Sequence, residues 1–319
     1  MACLHPFRGY RYTREIVGNL ADVAVQPYDK ITPEMQDAYY SRSPYNAVRI
    51  TLNREKRDNP DTDYAGAGAT LRSWIGQNVL RQDPAPAIYA YYQEYVHDGE
   101  PRLQKGFIGL LDLRDSEAGI IPHERTLQAP KQDRLQLLRS TESNEDAVFM
   151  LYSDEDLTVN CIMDAAVTDR VPDIEVEDDY GVLHRVWAIV GLEELKRIQE
   201  AMRAQRLFIA DGHHRFETSV NYMRECEQHG WKTTGIESFD KRMVTCFNIA
   251  DGVTILPTHR LIRDLPNFDL RSFLQAIELH FEVRSTGSRK NLFDAMKREC
   301  PHNVFGFHHK EDREFFLLR

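Results

Sequence analysis

The 319-residue chain has no apolar run approaching the roughly 20 residues a membrane-crossing helix needs. Nor is there a CxxC pair among its five cysteines, Cys3, Cys161, Cys226, Cys246 and Cys300. The first absence argues against a helical membrane anchor; the second, with an odd count in a chain this long, fits free thiols in a reducing compartment. Positive charge is also scarce: 40 Lys and Arg face 50 Asp and Glu, a net charge of −10. Nucleic-acid binding neutralises phosphates with surplus cations, so a nucleic-acid partner is not expected. Internal repeats and low-complexity linkers are missing. The N-terminus carries His5, Pro6 and Arg8 where a signal peptide needs an apolar core. A cytoplasmic location with no membrane partner is the resulting expectation.

What is present is ordinary globular composition, 42% hydrophobic and 28% charged, in a chain long enough for about two compact units. One stretch organises the reading. The apolar residues Leu207, Phe208, Ile209 and Ala210 suit a buried strand, Asp211-Gly212 permits a sharp turn, and Phe216, Val220 and Met223 recur at helical spacing. The turn thus opens onto a helix N-terminus, where unpaired N–H groups and the positive end of the dipole gather. His213, His214 and Arg215 add side-chain donors, so a phosphate would be well received. A plainer reading has Asp211 as a cap, solvated histidines and Arg215 paired with Glu217 or another carboxylate. Metal binding is the weaker alternative, because adjacent histidines point about 100° apart on a helix.

Elsewhere the pattern predicts strands at Leu4 to Arg11, Val23 to Asp29 and Ala47 to Leu52. Helices are predicted from Pro33, capped by Thr32, and from Ala65 to Leu80. An aromatic run at Ala87 to Tyr95 and its partner at Lys105 to Leu113 make a hairpin about Asp98-Gly99. A helix follows at Asp133 to Ser140, then a buried strand at Ala147 to Tyr152. The acidic region from Asp154 to Asp179 reads as irregular. Strand, helix, strand and helix then alternate through Leu183 to Val190, Leu192 to Arg206, Leu207 to Ala210 and Phe216 to Gln228. A second hairpin is expected about Asp251-Gly252, and a helix at Leu270 to Leu279 and strands at Phe281 to Arg284 and at the C-terminus form a small α/β module.

A second stretch is dense in functional side chains: His123 and Glu124 as an acid–base pair, with Arg125 and Lys131 as cations suited to phosphate. As a solvated loop it needs no ligand. His-Arg pairs recur at 184–185, 214–215 and 259–260, and histidine with arginine at strand ends is what a phosphate-binding cleft uses.

The ordered series Pro27-Tyr28-Asp29, Ser43-Pro44-Tyr45-Asn46, Pro122-His123-Glu124-Arg125-Thr126 with Lys131, Ile209-Ala210-Asp211-Gly212-His213-His214-Arg215, and Leu256-Pro257-Thr258-His259-Arg260 resembles the domain-of-unknown-function 1015 family. That family is commonly described as related to the chromosome-partitioning ParB proteins. The resemblance implies an α/β fold around a ParB/sulfiredoxin-like nucleotide-binding core. It divides the chain into an N-terminal region at 1–180 contributing to the cleft, a core at 181–250, and a C-terminal module at 251–319 read as truncated. The wider kinship includes sulfiredoxins and archaeal free-serine kinases, whose Gly-x-x-Arg turn contacts nucleotide phosphates; Gly212 and Arg215 hold those positions. Gln26 stands where most members carry a proline.

No cysteine lies in the turn, as sulfiredoxin chemistry requires, and no basic helix-turn-helix domain follows it, as DNA clamping requires. The reading left is a nucleotide-dependent phosphotransferase acting on a small hydroxylated metabolite. ATP or ADP with Mg²⁺ is the implied cofactor. Gly212, His213, His214, Arg215, Arg125, Lys131, His259 and Arg260 would hold the nucleotide, and Asp29, His123, Glu124 and Asp211 would serve as acid–base groups; no protein-held metal is implied. A nucleotide-sensing protein without catalysis is the alternative, and the oligomeric state is left open.

Overall fold

The structure, a computed structural model, describes residues 3–59, 62, 64–114, 119–123, 128–254, 259–299, 303–311 and 313–319. It is of mixed α/β class and divides into two compact units, Met1–Thr254 and Ile255–Arg319. The first half of unit one holds β1 (Leu4–His5), β2 (Tyr10–Tyr12), α1 (Arg14–Val17), α2 (Pro33–Arg42), α3 (Val48–Thr51), α4 (Arg54–Asp58), α5 (Ala65–Gly76), β3 (Leu80–Gln82), β4 (Ile88–His97) and β5 (Glu100–Asp112). Its second half holds β6 (Ile120–Ile121), α6 (Gln128–Thr141), β7 (Val148–Tyr152), α7 (Thr158–Val167), β8 (Ile174–Glu177), β9 (Leu183–Ile189), α8 (Leu192–Arg203), β10 (Leu207–Asp211), α9 (His213–Gln228) and β11 (Lys241–Asn248).

Among the described residues one sheet has the order β6-β10-β7-β11-β5-β4-β9-β8, with β1 paired to β5. Its centre is the hairpin of β4 and β5, turned at Asp98 and Gly99, both at positive φ (52° and 81°), as a two-residue hairpin turn requires. Alternation gives the sheet two faces. Ile88, Ala90, Phe107, Leu111, Val148, Met150, Val244 and Cys246 pack with Val159, Ile162 and Met163 of α7 and Leu195, Ile198 and Met202 of α8. Each such side chain contributes about 1.5–3 kcal/mol by leaving water, so this layer is the core. The intervening residues Tyr89, Ile108, Leu110, Val186 and Met243 line a cavity on the other side.

Several expectations are corrected. Val23 to Asp29 is not a strand: 3₁₀ turns at Leu20–Asp22 and Tyr28–Lys30 flank it, the first capped by Asn19, whose side chain accepts from the Ala21 N–H. Ala47 to Leu52 forms α3, since the Asn46 side chain accepts from the Val48 N–H and donates to the Asp22 carbonyl, starting a helical turn. The acidic region holds α7 and β8; Val159, Ile162 and Met163, buried in the core, carry the helical signal that the charged flanks concealed. The first arm of the second expected hairpin is β11; a 3₁₀ turn, Ile249–Asp251, follows it, Val253 and Thr254 are in no strand, and the rest of the expected second arm lies outside the described residues.

The strand–helix–strand–helix alternation exists as β9, α8, β10 and α9, yet β4, β5, β11 and β7 separate β9 from β10 in the sheet. These four elements are therefore not a self-contained compact unit. The expected boundary at 180/181 falls inside this one sheet, because β4 and β5, from before it, pair with β9 and β11, from after it.

Unit two holds α10 (Leu270–Ile277), β12 (Val283–Ser285), α11 (Arg289–Arg298), β13 (Phe305–His309) and β14 (Glu314–Leu318), with β14 central in an antiparallel sheet of order β12-β14-β13. Leu292 and Ala295 of α11 pack on Leu317. Among the described residues no helix is long and apolar enough to cross a membrane.

Candidate functional site

Strand β10 buries Leu207 and Ile209, and strict alternation would aim Asp211 the same way. A register shift between Ile209 and Asp211 instead sets Asp211 opposite Phe149 of β7, and its carboxylate is 63% exposed. Such irregularities re-aim single side chains. Gly212 follows at φ 92°, ψ 29°, a left-handed conformation costly for any residue with a Cβ. A Cβ there would also stand 2.9 Å from Nε and 3.0 Å from Cζ of Arg215. The left-handed backbone is what selects glycine; the guanidinium, at the end of a flexible chain, could yield to a Cβ.

Helix α9 starts at His213, three residues ahead of the expected Phe216, so His213, His214 and Arg215 form its first turn. Arg215 donates through Nη2 to the Asp211 carboxylate and through Nη1 to the Ala147 carbonyl at 2.5 Å. The arginine thus already has a carboxylate partner, which any phosphate would have to displace.

The second sequence cluster comes to the same helix. The His123 backbone N–H donates to Nε2 of His213 at 3.2 Å, and the two rings meet edge to face with centroids 4.5 Å apart. His213, only 4% exposed, must therefore leave Nε2 unprotonated in this pairing. Lys131 Nζ reaches Glu217 of α9 at 2.9 Å, and the Thr218 hydroxyl donates to the Lys131 carbonyl at 3.4 Å. His214 is half-buried. Asp29 is exposed, while its neighbour Tyr28 lies under the Arg134 guanidinium, 4.2 Å from ring centre to Cζ. Burial raises the Tyr28 hydroxyl pKa, and Arg134 and Arg215 oppose the shift. Glu124 and Arg125 lie outside the described residues, and His259 and Arg260 are exposed in the second unit.

Sequence reasoning missed what stands behind Arg215. A void of about 20 Å³ is lined by Arg134, Glu145, Asp146, Arg215, Thr218 and Arg242, among others. Arg242 is 5% exposed; one of its terminal nitrogens donates to the Asp146 carbonyl, but Nε has no hydrogen-bond partner, and neither does Oε1 of Glu145. Burial drives both toward neutrality. Glu145 is pushed up to about 7 by loss of solvent, with Asp146 adding to the shift and Thr141, Arg134 and Arg242 restraining it. Arg242 is pushed down to about 10 by burial, against the pull of Asp146 and Glu145. An arginine at the head of the mostly apolar stretch Met243-Val244-Thr245-Cys246-Phe247 was the available signal.

A further chain of bonds joins residues far apart in sequence. Tyr91 and Nδ1 of His184 are 2.7 Å apart, Nε2 of His184 lies 3.4 Å from Asp178, and Gln26 donates to Asp178 at 3.5 Å. Both ring nitrogens of His184 are engaged, which suits a structural relay. Arg185 is held by Glu94 and Glu175. Among the described residues no group of three or more His, Cys, Asp or Glu is arranged to hold a metal ion.

A family model described as "Protein of unknown function (DUF1015)" matches residues 4–319. Neither the curated proteins nor the solved structures contain a match.

Proposed function

The chain belongs to the DUF1015 family, whose description assigns no activity, and we propose from the site that it is a nucleotide-dependent phosphotransferase acting on a small hydroxylated metabolite. The observation that carries this reading is the convergence on one helix start of the left-handed Gly212, Arg215, the His123–His213 pair and Lys131. A helix N-terminus with an arginine in its first turn attracts an anion through backbone N–H groups, dipole and guanidinium together. The capping residue is glycine, so the cap itself adds no side chain, and the group lying against it is the Arg215 guanidinium.

Phosphoryl transfer asks chiefly for positioning and positive charge around the moving group, with a base near the acceptor hydroxyl. In this reading ATP or ADP lays its phosphates against residues 212 to 215. Arg215 exchanges Asp211 for phosphate, which leaves the exposed Asp211 carboxylate available as base or as one ligand of Mg²⁺; phosphate oxygens and water would complete the Mg²⁺ shell, as is usual for this ion. His123 and Asp29 are the further acid–base groups.

The test is Arg215→Ala, read by calorimetry with ATP and ADP in Mg²⁺ and by thermal melting. A charge-assisted contact to phosphate contributes about 1.5–3 kcal/mol, so nucleotide affinity should fall roughly ten- to a hundredfold. A lowered melting temperature with unchanged affinity refutes the phosphate role. Turnover against a panel of hydroxylated metabolites then separates the enzyme from a sensor, which would bind nucleotide without consuming it.

A further inference from the structure

On the cavity side of the sheet, a partly open cleft of about 880 Å³ lies within the first unit, inside the range of small-molecule sites. None of Asp211, Gly212, His213, His214 or Arg215 lines it. Aromatic side chains, Phe7, Tyr10, Tyr89, Tyr222, Trp231 and Phe239 among them, share its walls with aliphatic ones such as Ile50, Leu71, Leu80 and Leu110. Three of the cations on its surface meet counter-charges, Arg8 with Glu237, Arg11 with Asp83 and Asp173, and Lys241 with Asp112 and Asp240, while the exposed Lys232 makes no ion pair among the described residues. Between the rings stand amide and hydroxyl groups, Gln82, Asn144, Ser219 and Thr234.

One wall is a segment without helix or strand, residues 230–240. It leaves α9 through Gly230 at φ 77° and bends again at Gly235, φ 133°. Its fastening lies far away in sequence: Glu237 accepts from the Arg8 backbone N–H at 2.7 Å, from Arg8 Nε at 3.1 Å and Nη2 at 2.7 Å, and from Gln82 at 3.4 Å. Trp231, 50% exposed, sits on this strap.

We propose that the cavity binds a neutral, flat heteroaromatic molecule of nucleoside size, admitted when the 230–240 strap releases Glu237 from Arg8. Aromatic walls offer stacking to a planar ring, and interleaved amides and hydroxyls match polar ring edges. An anion would meet three cations already paired and only Lys232 besides, and since Gln82, Asn144 and Ser219 already bond within the protein, it is the aromatic faces that favour a planar ring over an aliphatic chain. The site stands apart from the phosphate reading of the turn and does not depend on it.

Adenosine and thymidine serve as probes, with dodecanol as the aliphatic counter-probe. Calorimetry on the full chain should give one nucleoside site, and nucleoside should quench Trp231 fluorescence. Trp231→Ala should weaken adenosine about tenfold or more. Filling the cavity with Ile108→Trp, or with Met243→Trp should the first fail to fold, should abolish binding. Arg215→Ala should leave adenosine affinity within about twofold, and Glu237→Gln should speed association several-fold. The proposal is overturned if neither nucleoside binds at millimolar concentration, if dodecanol binds in their place, if binding persists in a folded cavity-filled variant, or if Arg215→Ala abolishes adenosine binding.

Discussion

The turn at Gly212 and the cavity walled by the 230–240 strap belong to one unit and have opposite constructions. Behind the turn, Arg134, Arg215 and Arg242 crowd with Glu145 and Asp146 around a void of only about 20 Å³. The cavity offers about 880 Å³, and Arg8, Arg11 and Lys241 on its surface are each matched by carboxylates. Charge without room means that a ligand must displace a partner already in place; room whose cations are mostly paired means that binding rests chiefly on contact and stacking. Affinity at the turn should therefore respond to salt and pH, and affinity in the cavity should respond to shape. Leu138, Ser143 and Glu145 line both spaces, and Glu145 is the ionisable one among them.

The hardest blow to this contrast is Arg242→Met. It strips the buried cluster of a cation while leaving Glu145 and Asp146 in place, and removing one partner of a buried charge set typically costs about 3–5 kcal/mol. Denaturant unfolding at pH 8 should show a loss of that order. The double variant Arg242→Met with Glu145→Leu should recover much of it, since it removes together the two side chains that carry unpartnered buried polar atoms. A single variant as stable as wild type would mean that Arg242 is solvated and that the cluster is not closed.

Much of this architecture was legible in the sequence, but unevenly. Long one-sided runs such as Ile88 to Tyr95, bounded by Asp98-Gly99, declare strands and their hairpin because period and turn chemistry agree. Residues 47–52 misled because the Asn46 side chain, accepting from the Val48 N–H and donating to the Asp22 carbonyl, starts a helical turn that outweighs a short alternation, and residues 23–29 because 3₁₀ turns at Leu20–Asp22 and Tyr28–Lys30 bound too short a stretch for a strand. The separation of β9 from β10 could not be read at all, since strand order is decided by packing between distant segments. The meeting of His123 with His213 followed from chemistry, as two cation-rich stretches with complementary needs. Arg242, Glu145 and the cavity did not, because burial of a polar atom and the absence of atoms are properties of the assembled fold.

A smaller effect sharpens the comparison through pH. Burial lifts Glu145 from the ordinary value of 4.5 to about 7, so the folded chain keeps a proton that the unfolded chain releases. Its stabilising contribution is complete below about pH 4.5 and is lost as pH rises through 7. Between those limits stability should fall by at most about 1.4 kcal/mol per pH unit. Glu145→Gln should flatten this part of the profile, measured by urea unfolding from pH 5 to 8. A wild-type profile with the same slope as the variant would show that Glu145 is ionised throughout and faces water.

The smallest stability effect expected is the most local. Gly212→Ala puts a methyl group on a backbone at φ 92°, where a left-handed residue costs roughly 1–2 kcal/mol. The new Cβ would stand 2.9 Å from Arg215 Nε, so the guanidinium must move. Arginine is long enough to yield, and the strain should therefore appear less as unfolding than as misplacement of Arg215 from Asp211 and the Ala147 carbonyl. Melting should drop modestly while ATP affinity falls as far as it does in Arg215→Ala, and adenosine affinity in the cavity should stay unchanged. If Gly212→Ala instead lowers stability alone and leaves ATP binding intact, the turn is only a strand-to-helix corner and its glycine serves the chain path, not an anion. If it weakens both ligands equally, the turn and the cavity are one site, and the contrast between them disappears.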